Sequence, residues 1–179
     1  MDVNDAIELI RDAVGDGAGI WADLGAGTGT FTRALARILD AGSTIYAVDG
    51  DSSAVAALRA WAARTTTRVI AVKADFTQPF QLPGLDGALL DGILLANALH
   101  FVRDAESVLK QLAQCVRVGG RIVVVEYDRR GPSRWVPYPI HASQWPRLAA
   151  AAGLTDAAVT ATRPSAYSGV LYAGIARRS

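Results

Sequence analysis

The chain has 179 residues; Lys and Arg contribute 18 positive charges and Asp and Glu 17 negative ones, a net charge of +1. That length predicts a single domain over 1–179, able to bury roughly 70% of the surface its unfolded form exposes. The charge balance argues against holding nucleic acid by bulk charge. One cysteine, Cys115, excludes an internal disulfide and a cysteine-built zinc site.

The two histidines lie far apart in sequence, so no bound metal is expected. Residues 1–5 are acidic, and no apolar run reaches the roughly 18 residues that a membrane span needs. Neither a signal peptide nor a membrane span is expected, and a cytoplasmic location follows as the expectation.

Apolar residues at Val3, Ala6, Ile7, Ile10 and Val14 predict a helix over 2–14, ended by Gly15 and Gly17. Residues 19–24 read as a short strand, followed by a Gly-rich turn and a helix over 29–40. A second strand covers 44–49, and Asp51 caps a helix running to Arg64. A third strand covers 68–74. A Pro/Gly loop without helical period leads to a fourth strand over 91–96.

A helix over 104–117 begins at Asp104 and is closed by Gly119-Gly120. The apolar run 121–126 suits a buried parallel strand. Residues 129–141 form a loop rich in aromatics and proline. A helix from Ser143 to Ala152 follows, with Pro146 in its first turn and Gly153 at its end. Two strands near 157–163 and 169–176 close the chain across a hairpin-like turn from Pro164 to Gly169. Strands alternating with helices predict a largely parallel sheet covered on both faces.

Four strand ends carry polar residues, at the edge where open α/β sheets bind ligands. The first is Asp23-Leu24-Gly25-Ala26-Gly27-Thr28-Gly29, whose glycines permit a tight turn and close backbone approach. Thr30 stands where a dinucleotide fingerprint has its third glycine, and Asp23 suits a cationic ligand better than a pyrophosphate. Asp49 ends strand two, where a carboxylate can accept both hydroxyls of a ribose. Asp75-Phe76 ends strand three, offering a carboxylate and a backbone N–H to a base. Asn97-Ala98-Leu99-His100 ends strand four and faces the same crevice.

Together with Val116-Arg117-Val118-Gly119-Gly120-Arg121, these segments resemble the motifs of the class I S-adenosylmethionine-dependent methyltransferases, in order across roughly 15–130. The resemblance implies an α/β, Rossmann-like, doubly wound sheet of seven strands. Its order is 3-2-1-4-5-7-6, with strand seven antiparallel and helices on both faces. It implies S-adenosylmethionine as cofactor, with Gly25, Gly27 and Gly29 along its methionine part and Asp23 near its ammonium. Asp49, with Gly50 beside it, would hold the ribose. Asp75 and the Phe76 amide would read the adenine, and Asn97 would present its carbonyl to the methionyl end. The fourth strand lacks the Asn-Pro-Pro-Tyr pattern that in this family accompanies methylation of planar amino groups. That favours a small-molecule acceptor attacking through O, N or C.

A general base is needed only for an acceptor protonated at working pH; the candidates are His100, Glu126, Tyr127, Tyr138 and His141. Arg129, Arg130 and Arg134 are either a solvated cluster or the seat of an anionic substrate. Trp135, Tyr138 and Trp145 either wall the substrate pocket or pack the loop on the core. Cys115 reads as a small buried apolar residue. The substrate site is expected to be shallow, closed by the N-terminal helix and the 129–141 loop or by the second subunit of a homodimer. Two rivals are a cofactor-binding partner subunit without activity and an NAD-dependent oxidoreductase.

Overall fold

The structure is a computed structural model that describes residues 1–129, 131–165 and 169–179. Arg130, and Tyr167 of the predicted hairpin turn, lie outside the described residues. The elements run α1 (Val3–Val14), β1 (Ile20–Leu24), α2 (Thr30–Ile38), β2 (Thr44–Asp49), α3 (Ser52–Ala62) and β3 (Arg68–Lys73). They continue with β4 (Leu90–Ala96), α4 (Ala105–Gln114), β5 (Val116–Tyr127), α5 (Trp145–Ala151), β6 (Leu154–Pro164) and β7 (Val170–Arg178). The strands form one seven-stranded sheet of order β3-β2-β1-β4-β5-β7-β6. Neighbours from β3 to β5 pair in parallel, and β7 runs antiparallel to both β5 and β6.

Period-two alternation on buried strands supplies both faces of this sheet. Ile45, Leu94, Val123 and Val125 pack under α1 and α2, with Trp21 and Leu35. Tyr46, Ile93, Leu95, Ile122 and Val124 face α4 and α5, with Leu109 and Trp145. Trp145 is fully buried and its indole N–H donates to the Ile175 carbonyl at 3.0 Å, so this tryptophan packs the core. Helix starts follow their caps: Asp2 with Asp5 forms a capping box on α1, Asp51 caps α3, and Asp104 caps α4. Among the described residues, no helix is long and apolar enough to cross a membrane.

Three sequence expectations need correcting. Helix α4 ends at Gln114, and Val116-Arg117 already belong to β5. The two-residue step from Leu90 to Gly92 on β4 is matched by the step from Val116 to Arg121 on β5, a bulge. Gly119-Gly120 form this bulge and do not close the helix. A Cβ on Gly120 would stand 2.5 Å from Val116 and 2.9 Å from the Asp91 carbonyl oxygen. Cys115 is exposed at the α4 C-terminus and is not a core residue, because the chain turns there into β5. The sixth strand starts at Leu154, directly after Gly153, and the pair β6–β7 is longer than its apolar pattern indicated.

Candidate functional site

The strand order reverses between β1 and β4, so the loops leaving their carboxyl ends diverge and open a crevice. The loop after β1 is pinned to β2 by its backbone: Gly25 and Ala26 both donate to the Val48 carbonyl, at 2.9 and 3.0 Å. Gly25 has φ +75°, and a Cβ there would stand 2.7 Å from the Ala98 side chain. Only glycine lets this loop lie so close to the chain leaving β4. Gly27 N–H donates to Asp49 Oδ2 at 2.7 Å, and Asp49 Oδ1 accepts from Asp51 N–H at 2.8 Å. Asp49 therefore clamps the Gly loop to the end of β2, while the cap of α3 is Asp51.

Asp23 is fully buried at the end of β1. Thr32 donates its hydroxyl to Oδ2 at 2.6 Å, and Oδ1 is buried without a hydrogen-bond partner among the described residues. Burial pushes its carboxyl up to about 7; the Thr32 bond opposes the shift, and the Asp49 charge adds to it. Since the folded-state value lies above the ordinary one, protonated Asp23 stabilises the fold fully below about pH 4. That contribution is lost as the pH rises through about 7. Expected result: urea midpoints of the ligand-free chain fall with rising pH between these limits, and Asp23→Asn removes that part of the slope. Equal slopes in both chains would contradict a buried, proton-holding Asp23.

Asp75, after β3, accepts from Thr77 N–H at 2.9 Å and from its hydroxyl at 2.7 Å, both on Oδ1. Phe76 next to it packs near Gly25. Asn97 follows β4 at φ +54°, a left-handed position that asparagine tolerates. Its N–H donates to the Val125 carbonyl at 2.8 Å, and its side-chain oxygen is buried without a partner among the described residues. Two unpartnered buried oxygens, on Asp23 and Asn97, thus lie at neighbouring strand ends. Each is a place where a ligand's hydrogen-bond donor can be accepted.

His100 and Glu126 are both buried. Strands β4 and β5 pair Ala96 with Val125, which brings the two side chains together across a wide gap in sequence. Glu126 Oε1 accepts from the N–H groups of Leu99 and His100, at 3.0 and 3.1 Å, and Oε2 lies 2.5 Å from His100 Nδ1. Oε1 already takes two N–H groups, and with the ring hydrogen on Nδ1 the histidine donates to Oε2. Nε2 is left with its lone pair and has no partner among the described residues. Tyr127 stands edge-on to the His100 ring, centroids 6.0 Å apart, and Phe101 lies 4.3 Å away.

Two cavities meet here. A cleft of about 620 Å³ runs along Gly25, Ala26, Gly27 and Thr28 to Asn97 and Tyr127. Its far wall is Met1 and Asp5 of the N-terminal segment and Arg163, Pro164, Ser165 and Leu171 of the β6–β7 end. Arg163 pairs with Asp5 and with Glu8 (3.1 Å), tying α1 to β6. A second cavity of about 590 Å³ shares Asn97 and Tyr127, and adds His100, Phe101, Arg129, Trp135 and Val136.

Of the sequence-predicted residues, Gly25, Gly27, Asn97, His100 and Tyr127 line these cavities, and Asp23 and Glu126 lie buried behind them. Gly29 packs against Leu58, and Asp49, Gly50 and Asp75 stand at the outer strand ends. Tyr138 lines a different groove with Arg103 and Arg147. His141 caps the turn before α5 and lies 3.2 Å from Asp128, away from both cavities. These two leave the set of candidate bases. Phe101 and the 163–165 wall were missed. Phe101 could have been found as the neighbour of His100; nothing local marks the wall.

The family profile described as "Methyltransferase domain" matches residues 22–124. No curated protein matches the chain. Among solved structures, EvdMO1 aligns at TM-score 0.71 and 22% identity, over 99% of this chain but only 41% of its own length. An S-adenosylmethionine-dependent methyltransferase from Aquifex aeolicus aligns at 0.73 and 14% identity over 100% of both chains. Magnesium protoporphyrin IX methyltransferase from Synechocystis, solved with its cofactor, aligns at 0.69 and 18% identity, over 99% of this chain and 78% of that one. At these identities the likeness is one of fold.

Proposed function

The chain belongs to the methyltransferase domain family, and we propose that, with S-adenosylmethionine as its methyl donor, it methylates a small-molecule acceptor through an O, N or C nucleophile. The carrying observation is the meeting of two cavities at Asn97 and Tyr127, one along the Gly loop and one beside His100. When bound, S-adenosylmethionine supplies a methyl group already activated on a sulfonium.

The residues fit that cofactor. The Gly loop presents backbone with no side chain in the way, and Asp23 holds an unpartnered buried oxygen suited to an ammonium or its water. Asp49, already fixed by two backbone N–H groups, retains lone pairs for ribose hydroxyls. Gly50 leaves room beside it. Asp75 and the Phe76 amide would hold the base, and Asn97 would hold the methionyl end.

Positioning the acceptor beside the methyl supplies most of what the protein must contribute; well-oriented partners gain roughly 7–11 kcal/mol. His100 Nε2 takes the acceptor's proton where there is one, and Glu126 holds the tautomer that makes this possible. Tyr127 walls both cavities. We read residues 1–179 as one domain acting in the cytoplasm, alone or as a homodimer that covers the cavity mouth.

The ammonium of the cofactor or of S-adenosylhomocysteine near Asp23 would favour the ionised carboxylate. Binding of S-adenosylhomocysteine at pH 6 is therefore expected to release protons and to weaken below about pH 7. Calorimetry in buffers of different ionisation enthalpy reads this, and Asp23→Asn should abolish it. The function is tested by a methyl-transfer screen over phenols, carboxylates, amines and thiols, read as S-adenosylhomocysteine release. Release with at least one acceptor is expected; cofactor binding without turnover on any of them would point to a non-catalytic partner subunit.

A further inference from the structure

Resting on that reading, we propose that the second cavity takes a planar aromatic acceptor that carries a hydroxyl and an anionic group. Its walls carry the inference. Trp135 is 74% exposed and Phe101 59% exposed, and with Tyr127 they present three aromatic rings to one space. Large rings left open to water beside a concave site mark a surface that a ligand covers. Flat walls of this kind select flat ligands, because stacked and edge-on ring contacts add to the area buried. The volume of about 590 Å³ falls within the range of small-molecule sites and admits more than one ring.

Charge then separates the ligand classes. An aromatic box alone also suits a quaternary or protonated amine. Among the described residues that line this cavity, Arg129 is the charged side chain and none is acidic. Arg129 has no carboxylate partner among the described residues. Arg134, which does not line the cavity, holds its guanidinium 5.5 Å from the Trp135 ring centroid. The buried Glu126 carboxylate is held by the Leu99 and His100 N–H groups and His100 Nδ1, and Asp128 by Ala142 N–H and His141. A guanidinium free of partners binds a carboxylate or similar anion by paired, charge-assisted hydrogen bonds and repels an ammonium.

The hydroxyl follows from His100. Its Nε2 lone pair is the acceptor for a proton on the wall, and a ring hydroxyl presents one. The hydroxyl proton passes to Nε2 as its oxygen takes the methyl, and the sulfur keeps the bonding pair.

The test is calorimetric binding of a hydroxynaphthoate and of its uncharged amide to the chain saturated with S-adenosylhomocysteine. The carboxylate is expected to bind about tenfold or more tightly than the amide, as for a hydrogen-bonded charge. Arg129→Gln should erase that preference, and Trp135→Ala should weaken both probes alike. Trp135 is exposed and Arg129 is half-buried outside the core, so neither substitution opens a cavity in the packed interior. Equal affinity of the two probes for the native chain, or a preference that survives Arg129→Gln, would overturn the proposal. Failure of S-adenosylhomocysteine itself to bind would instead overturn the methyltransferase reading beneath it.

Discussion

Replacing Glu126 by glutamine is expected to lower the methyl-transfer rate to a protonated acceptor by roughly 10²–10⁴-fold, the usual worth of a positioned acid or base. S-adenosylhomocysteine affinity should stay close to that of the native chain. A glutamine oxygen can still accept from Leu99 and His100 N–H, so the turn after β4 keeps its anchor. The amide nitrogen then faces Nδ1, which must accept in place of donating. The ring hydrogen moves to Nε2, and the base becomes a donor. His100→Gln should give a similar loss, and the double variant little more, because the pair acts as one unit. An acceptor already ionised at assay pH should escape most of the loss. Equal loss with ionised and protonated acceptors would mean that the pair only supports the fold.

Asp49→Ala is expected to weaken S-adenosylhomocysteine binding by on the order of 1–3 kcal/mol, about 5–150-fold. Two things are lost together. The ribose hydroxyls lose a charged acceptor, and Gly27 N–H loses the bond that holds the loop to β2. An analogue lacking a ribose hydroxyl separates them. It should bind the native chain more weakly than the full ligand, and the Asp49→Ala chain about equally. An unchanged dissociation constant in the variant would mean the ribose is held elsewhere.

Much of this site was legible because its parts sit at strand ends, which periodicity locates. Asp23, Asp49 and Asn97 each close an apolar run, and the glycines 25, 27 and 29 mark the turn. The pairing of His100 with Glu126 was not legible. Each could be named a candidate, but their contact depends on β4 and β5 being neighbours in register. The cleft wall at Arg163, Pro164 and Ser165 comes from the far end of the chain, and its place is set by the antiparallel return of β7. The α4–β5 junction misled for a local reason. Gly119-Gly120 has the composition of a helix stop, while the bulge on β5 needs glycine for space. Cys115 was misplaced with it, since a helix continued to 117 would have turned that position toward the sheet.

The Gly loop itself decides between a sulfonium nucleoside and a dinucleotide, so the central claim comes down to which ligand it holds. The most direct measurement is a calorimetric titration of the native chain with S-adenosylhomocysteine and, separately, with NAD and NADH. Saturable binding of S-adenosylhomocysteine at one site per chain is expected, lost or much weakened in Asp49→Ala, with no binding of the dinucleotides. Tight binding of NAD or NADH without binding of S-adenosylhomocysteine would contradict it.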